Sequence, residues 1–314
     1  MGFVGDPVVG LLFPGQGSQF VGMGRDLAAA YPAAKQVFEE ADDVLGTSLS
    51  GICWEGPESE LIATNNAQPA LMTHSIAVHR VLQDRIGPVA MAAGHSLGEF
   101  SAYVAAGALS FGDGIRTVRR RGDLMLRSGE ERPGTMAALL GLDDEATERV
   151  CAEASREGGS CVPANYNSPG QIVISGDVPA VTRAIELART AGAKRAIQLN
   201  VSGAFHSPLM MVAEAGLSAQ LAGVTMTAPA FPVVSNVTAA PVTDADEARR
   251  LLIEQLTSPV RWAQSMQAMA AAGITHVIEI GPGAVLAGLM KRIDRGVKAQ
   301  SVGTAAEIEG FVMA

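Results

Sequence analysis

The stretch "VAMAAGHSLGEFSAYVAAGAL", residues 89–109, constrains the fold more than any other segment of the chain. It begins as an apolar run with no charge, the pattern of a buried strand, and ends with helical spacing. Between the two lie Gly94, His95, Ser96, Leu97 and Gly98, a G-x-S-x-G pattern. Flanking glycines let the backbone turn tightly, so a strand, a sharp turn and a helix follow one another directly, as α/β folds require. Ser96 then has two readings. A helix N-terminus beneath it offers amide donors to an oxyanion, which suits a nucleophile. A serine that simply caps a strand-to-helix turn has the same sequence.

The rest of the chain repeats the alternation. "VVGLLF" (8–13) reads as a buried strand running into the glycine-rich loop "PGQGSQ", and helical periods follow through residue 85. Between 134 and 202 the order becomes strand, helix, strand, strand, helix, strand: "TMAALLGL", "DEATERVCAEASRE", "CVPANYN", "QIVISGD", "VPAVTRAIELARTAG" and "AKRAIQLNV". That βαββαβ order is the ferredoxin-like arrangement. Afterwards the alternation resumes through "FPVVSNV", "HVIEIG" and "AVLAGLMKRID". The expectation is an α/β, hydrolase-like core with a parallel sheet, residues 1–133 and 203–314, interrupted by a ferredoxin-like small domain at 134–202. A cleft should lie between them.

A serine nucleophile needs a base, and there are five histidines. His74 and His79, five apart on a helix-like stretch, do not share a face and read as packing or surface residues. His95 should leave its strand opposite to Ser96 and reads as structural. His276 begins an apolar strand. His206, in the irregular "SGAFHSPLM" where the small domain returns to the large one, is left as the candidate.

Other chemistries lack support. No H-E-x-x-H or zinc-ligand spacing occurs, so no metal is expected. "FPGQGSQ" lacks the lysine of a P-loop, and "EIGPGAVLAG" (279–288) is a weak dinucleotide fragment without an acidic ribose ligand. A net charge of -9 argues against nucleic acid. No apolar run is long enough to span a bilayer, and "MGFVGDPVVG" has neither a basic leader nor Ser or Thr at position 6, so no membrane and a cytoplasmic location are expected. Three cysteines form no C-x-x-C pair and read as core residues of a reducing compartment.

"FPGQGSQ", "GHSLGE", "RG" at 121–122, "NYNSPGQIVISG", "GAFHSPLM", "QLTSPVRW" and "EIGPGAVLAGLM" stand in the order and spacing of the malonyl-CoA:acyl-carrier-protein transacylases, which the chain resembles over residues 8–303. The resemblance implies a free-standing enzyme, able to work as a monomer, that moves malonyl from malonyl-CoA to the phosphopantetheine thiol of an acyl carrier protein. The carrier belongs to fatty-acid or polyketide synthesis. No cofactor is implied, since the coenzyme A thioester is the substrate. Ser96 is then the acylated nucleophile in a ping-pong scheme and His206 its base. A backbone carbonyl near Gln255 orients the imidazole, and the amides of Gln16 and Leu97 hold the oxyanion. Arg121, Gln255, Phe205 and Asn165 are the implied substrate-site residues.

Arg121 carries the substrate choice. A malonyl group ends in a carboxylate, which a guanidinium holds with two parallel charge-assisted bonds. Its neighbours Arg119 and Arg120 should face water, because consecutive helix residues point about 100° apart. Phe205, beside the base, either borders the pocket for the α-carbon, excluding a methyl branch, or packs into the core. Two rivals share some of these features. A serine acyl hydrolase or thioesterase uses the same elbow and delivers the acyl group to water; a non-catalytic carrier-docking module would lack Ser96 or His206.

Overall fold

The computed structural model describes residues 7–313, so the N-terminal segment read above for a leader lies largely outside it. Among the described residues ten strands form two sheets. They are β1 (Val9–Phe13), β2 (Val89–Gly94), β3 (Gly134–Leu140), β4 (Cys161–Ser168), β5 (Gln171–Asp177), β6 (Arg195–Gln198), β7 (Val233–Val234), β8 (Pro241–Val242), β9 (His276–Ile280) and β10 (Lys298–Val302).

The larger sheet has the order β10-β9-β1-β2-β7-β8. Its strands pair in parallel except β7 with β8. β1, at the centre, is buried along its whole length. Alternation along it divides the core: Leu11 and Phe13 join the cluster on one face, Leu12 the cluster around Trp262 and Met266 on the other. The edge strand β10, "KAQSV", escaped the sequence reading because it is polar and only half-buried. "FPVVSNV" yields a strand of two residues, shorter than its apolar run suggested.

The smaller sheet is antiparallel with the order β4-β5-β3-β6, and helices Asp144–Arg156 and Val178–Thr190 connect its strands in the βαββαβ sequence. Ala137, Leu139 and Ile174 pack under those helices with Val150, Cys151 and Val181. Met136 and Val173 point the other way, into the cleft. Two backbone bonds tie this sheet to the larger body, Tyr166 N–H to Val260 O at 2.9 Å and Val260 N–H to Ala164 O at 2.8 Å. All three cysteines are buried free thiols.

The loop of "EIGPGAVLAG" has a structural explanation. Buried Glu279 accepts from the amides of Leu286 (3.1 Å) and Ala287 (2.9 Å), so the protein's own carboxylate occupies the start of helix Val285–Ile293. That helix end is closed to a pyrophosphate.

Candidate active site

Ser96 stands between the end of β2 and helix Leu97–Ala105, with φ 52° and ψ -108°. A non-glycine residue at positive φ is strained and persists only where its surroundings hold it. The glycines on either side make the turn possible. A Cβ on Gly94 would lie 1.8 Å from the Gly98 carbonyl carbon, and one on Gly98 would lie 2.0 Å from Phe13 O. Only glycine fits at either place, so strand, helix and the end of β1 close around the serine.

Asn236, after β7, holds the elbow from outside. Its Oδ1 accepts from Ser96 N–H at 2.7 Å and its Nδ2 donates to Gly94 O at 2.7 Å. Ser96 caps the helix without using its side chain, which leaves Oγ for other work.

Oγ lies 2.7 Å from His206 Nε2. His206 also has positive φ, 56°. Its Nδ1 faces the carbonyls of Gln255 at 2.9 Å and Ser258 at 3.2 Å, so in the neutral ring Nδ1 carries the hydrogen and Nε2 is the acceptor for the serine proton. Burial, followed by the nearby charge of Arg121, pushes the imidazole down to about 3. The ring is therefore a neutral base throughout the physiological range.

Arg121, on helix Phe111–Glu131, is 1% exposed. Nη1 donates to Gln68 Oε1 at 2.7 Å; Nη2 donates to Gln255 Oε1 at 2.9 Å and to Ser96 Oγ at 3.2 Å. The guanidinium lies over the Phe100 ring, 5.4 Å from its centroid. Burial lowers its pKa to about 10, so it stays charged at neutral pH. None of the ion pairs among the described residues includes it. Arg119 and Arg120 correct the expectation of full solvation. Both are half-buried, and Arg119 Nη1 donates to Asn66 Oδ1 at 2.7 Å, because the neighbouring helix Thr64–Ile86 lies against this one.

These groups open onto a cleft of about 480 Å³ between the two sheets. Gln16, Leu97, Asn165 and Phe205 also line it. The amides of Gln16 and Leu97 find no acceptor among the described residues. A chain of donors fixes the Gln16 loop: Arg121 to Gln68, Gln68 Nε2 to Thr64 Oγ1 at 3.0 Å, and Thr64 to Gln16 Oε1 at 2.9 Å. Asn165 is nearly buried on β4, and Phe205 is both a cleft wall and part of the core.

The other histidines lie elsewhere or do other work. His74 is fully buried and His79 stands edge-on to Phe13. His95 does line the cleft, but its Nε2 is engaged with Asn167 Oδ1 at 2.8 Å and its ring packs on Trp262.

Four supporting residues escaped the sequence reading: Gln68, Asn236, Ser258 and Glu99. Glu99 alone left a signal, as the one charge in the apolar helix "LGEFSAYVA". It is fully buried, and burial raises its carboxyl to about 7 against the pull of Gln255, Asn236 and Arg121.

Known proteins share this architecture. A malonyl CoA-acyl carrier protein transacylase of Bacillus subtilis is 49% identical over 301 residues, 96% of this chain and 95% of that protein. The crystal structure of an acyl-carrier-protein-S-malonyltransferase from Bartonella henselae superposes with a TM-score of 0.92 at 46% identity, covering 96% of this chain and 98% of that one. A malonyl-transacylase in complex with its type II PKS acyl-carrier protein superposes at 0.93 and 43% identity, covering 96% and 98%. The family described as the acyl transferase domain matches residues 11–310, which takes in the whole cleft and, but for Val9 and Gly10 of β1, both sheets, and the chain belongs to that family.

Proposed function

We propose that the protein is a malonyl-CoA:acyl-carrier-protein transacylase that works through a malonyl ester on Ser96. The observation that carries the substrate is Arg121: a buried guanidinium with no direct ion-pair partner among the described residues, 3.2 Å from the serine oxygen. Glu99 reaches this charge only across Gln255, so a ligand carboxylate in direct contact relieves the cost of burying it where a neutral acyl group cannot. The named relatives are transacylases, which favours transfer over hydrolysis.

The chemistry has two halves. In the first, Ser96 Oγ attacks the thioester carbonyl while His206 Nε2 takes the hydroxyl proton. The amides of Gln16 and Leu97 receive the oxyanion. When the intermediate collapses the C–S bond breaks, and the departing thiolate takes the proton from His206. Coenzyme A leaves as a thiol and Ser96 is an ester. In the second half the carrier's phosphopantetheine thiol gives its proton to His206 and attacks that ester, and the serine oxygen recovers the proton. Asn165 borders the bound acyl group, whereas Gln255, expected at the substrate, is fully buried behind the cleft and acts through Arg121 and through its carbonyl on the imidazole.

No cofactor takes part in this scheme, and among the described residues no cluster of His, Cys, Asp or Glu is placed to hold a metal. No helix among them is long and apolar enough to cross a membrane. The enzyme acts as a cytoplasmic monomer in this reading. Intact-mass analysis tests it: malonyl-CoA should add one malonyl mass to the wild type and none to Ser96→Ala. Adding holo carrier proteins of fatty-acid and polyketide synthesis should then clear the adduct and show which carrier is the acceptor. A labelled Ser96→Ala protein, or release of free malonate instead of malonyl-carrier, overturns the proposal.

A further inference from the structure

We infer that Glu99 is a positioning residue for acyl transfer, acting through Gln255, whose side chain holds Arg121 and the nucleophile elbow and whose main-chain carbonyl holds His206. The inference rests on the transacylase reading above.

Gln255 is fully buried at the C-terminal end of helix Ala245–Glu254. Its Oε1 accepts from Arg121 at 2.9 Å, its Nε2 donates to Ser96 O at 3.1 Å and to Glu99 Oε2 at 2.6 Å, and its main-chain O accepts from His206 Nδ1 at 2.9 Å. One residue thus touches all three groups of the proposed chemistry. An amide can flip, and here a flip would set nitrogen against the Arg121 donor and remove the donor from Ser96 O. Arg121 only donates, and Glu99 Oε2 accepts whether or not the carboxyl carries a proton on Oε1, so a cation at one end and that oxygen at the other admit a single orientation.

Glu99 also accepts from Asn236 N–H at 3.1 Å, and Asn236 holds the strained Ser96 backbone. Its second oxygen, Oε1, is buried with no partner among the described residues. A carboxylate placed only to fill a core would be a poor choice, since an apolar side chain of that volume carries no desolvation cost. Here the carboxylate's acceptor oxygen fits the two donors it faces.

The experiment is single-turnover malonyl transfer to a holo carrier, with wild type, Glu99→Asp, Glu99→Gln, Gln255→Ala and the Glu99→Asp/Gln255→Ala double variant, each checked for folding by circular dichroism. Glu99→Asp keeps the charge but withdraws the oxygen by one methylene. Its maximal rate should fall at least about tenfold and its KM for malonyl-CoA should rise. Glu99→Gln keeps an oxygen acceptor in place and should recover most of that loss. If Glu99 acts through Gln255, adding Gln255→Ala to Glu99→Asp should cost much less than Gln255→Ala costs alone. Wild-type rates in Glu99→Asp, a Glu99→Gln protein no better than Glu99→Asp, or losses that multiply in the double variant would each overturn the inference. A wild type that transfers no malonyl would instead overturn the reading on which it rests.

Discussion

Arg121 Nη2 and Ser96 Oγ are 3.2 Å apart on the wall of the cleft, the guanidinium buried and the serine half-buried. A carboxylate held by the guanidinium is therefore delivered close to the nucleophile, and recognition and reaction share one short span.

That span predicts a selective loss. Arg121→Ala should cut malonyl loading by about 10²-fold or more, the scale for removing one partner of a buried charged pair. Acetyl-CoA offers no carboxylate, so its loading should persist or rise. Arg121→Lys should not restore malonyl loading, because an ammonium cannot keep the bonds to Gln68 and Gln255 together. Loading rates for the two thioesters on each variant decide it; a parallel fall would make Arg121 a structural residue.

His206→Ala should slow acyl loading by at least about 10²-fold, the usual contribution of a positioned general base. Quenched-flow mass analysis of the adduct gives the rate. Near-normal loading would turn attention to His95, the other imidazole on the cleft.

The pH dependence should also be unusual. Folding lowers His206 from its ordinary 6.5 to about 3, so the folded protein holds the neutral, basic form. Protonating Glu99, raised to about 7, leaves it an acceptor oxygen. Loading at pH 5.5 should thus stay within about threefold of its value at pH 7.5, where a histidine of ordinary pKa would lose about tenfold. For stability the sign is the reverse of a salt-bridged histidine. Between 6.5 and 3 the unfolded chain binds the extra proton, so the contribution of His206 is complete above 6.5 and is lost as pH falls. A loading profile that titrates near 6.5 would show that the ring is not desolvated as described.

The sequence was most legible where local chemistry allows one solution. Gly94 and Gly98 announce the elbow because any Cβ there meets backbone, and the βαββαβ order survives as a small sheet because its alternation is strong. Polar partners recruited from afar were not legible. Asn236 reaches Ser96 across 140 positions and Gln68 reaches Arg121 across 53, with no spacing rule to connect them. β10 was missed for a different reason: a half-buried edge strand has little apolar periodicity to read.

Asn236→Ala should destabilise the protein and slow it. The substitution leaves Ser96 N–H and Gly94 C=O without their partner, and each orphaned buried group costs about 1 to 3 kcal/mol. Urea unfolding should show a loss of that order, with slower acyl loading in the folded fraction as the strained elbow relaxes. An unchanged midpoint would mean that water replaces the asparagine.

Phe205 provides the test of extender choice. It precedes His206, lines the cleft and is 6% exposed, so its ring is a wall shared by pocket and core. The neighbouring backbone is constrained, since His206 at φ 56° aims its ring at Ser96 and leaves the loop little freedom to move Phe205 aside. The expectation under test is that an acyl group bound to Ser96 and held by Arg121 brings its α-carbon to this wall, where a methyl branch would meet the ring. Exclusion of one methyl by shape is worth about 1 to 3 kcal/mol, roughly 10- to 200-fold. The wild type should therefore prefer malonyl-CoA over methylmalonyl-CoA within that range, without absolute exclusion. Phe205→Ser opens the wall, and the ratio of malonyl to methylmalonyl loading should fall several-fold even though the lost packing lowers both rates. If both rates drop and the ratio holds, Phe205 serves the core alone and another residue sets the choice of extender.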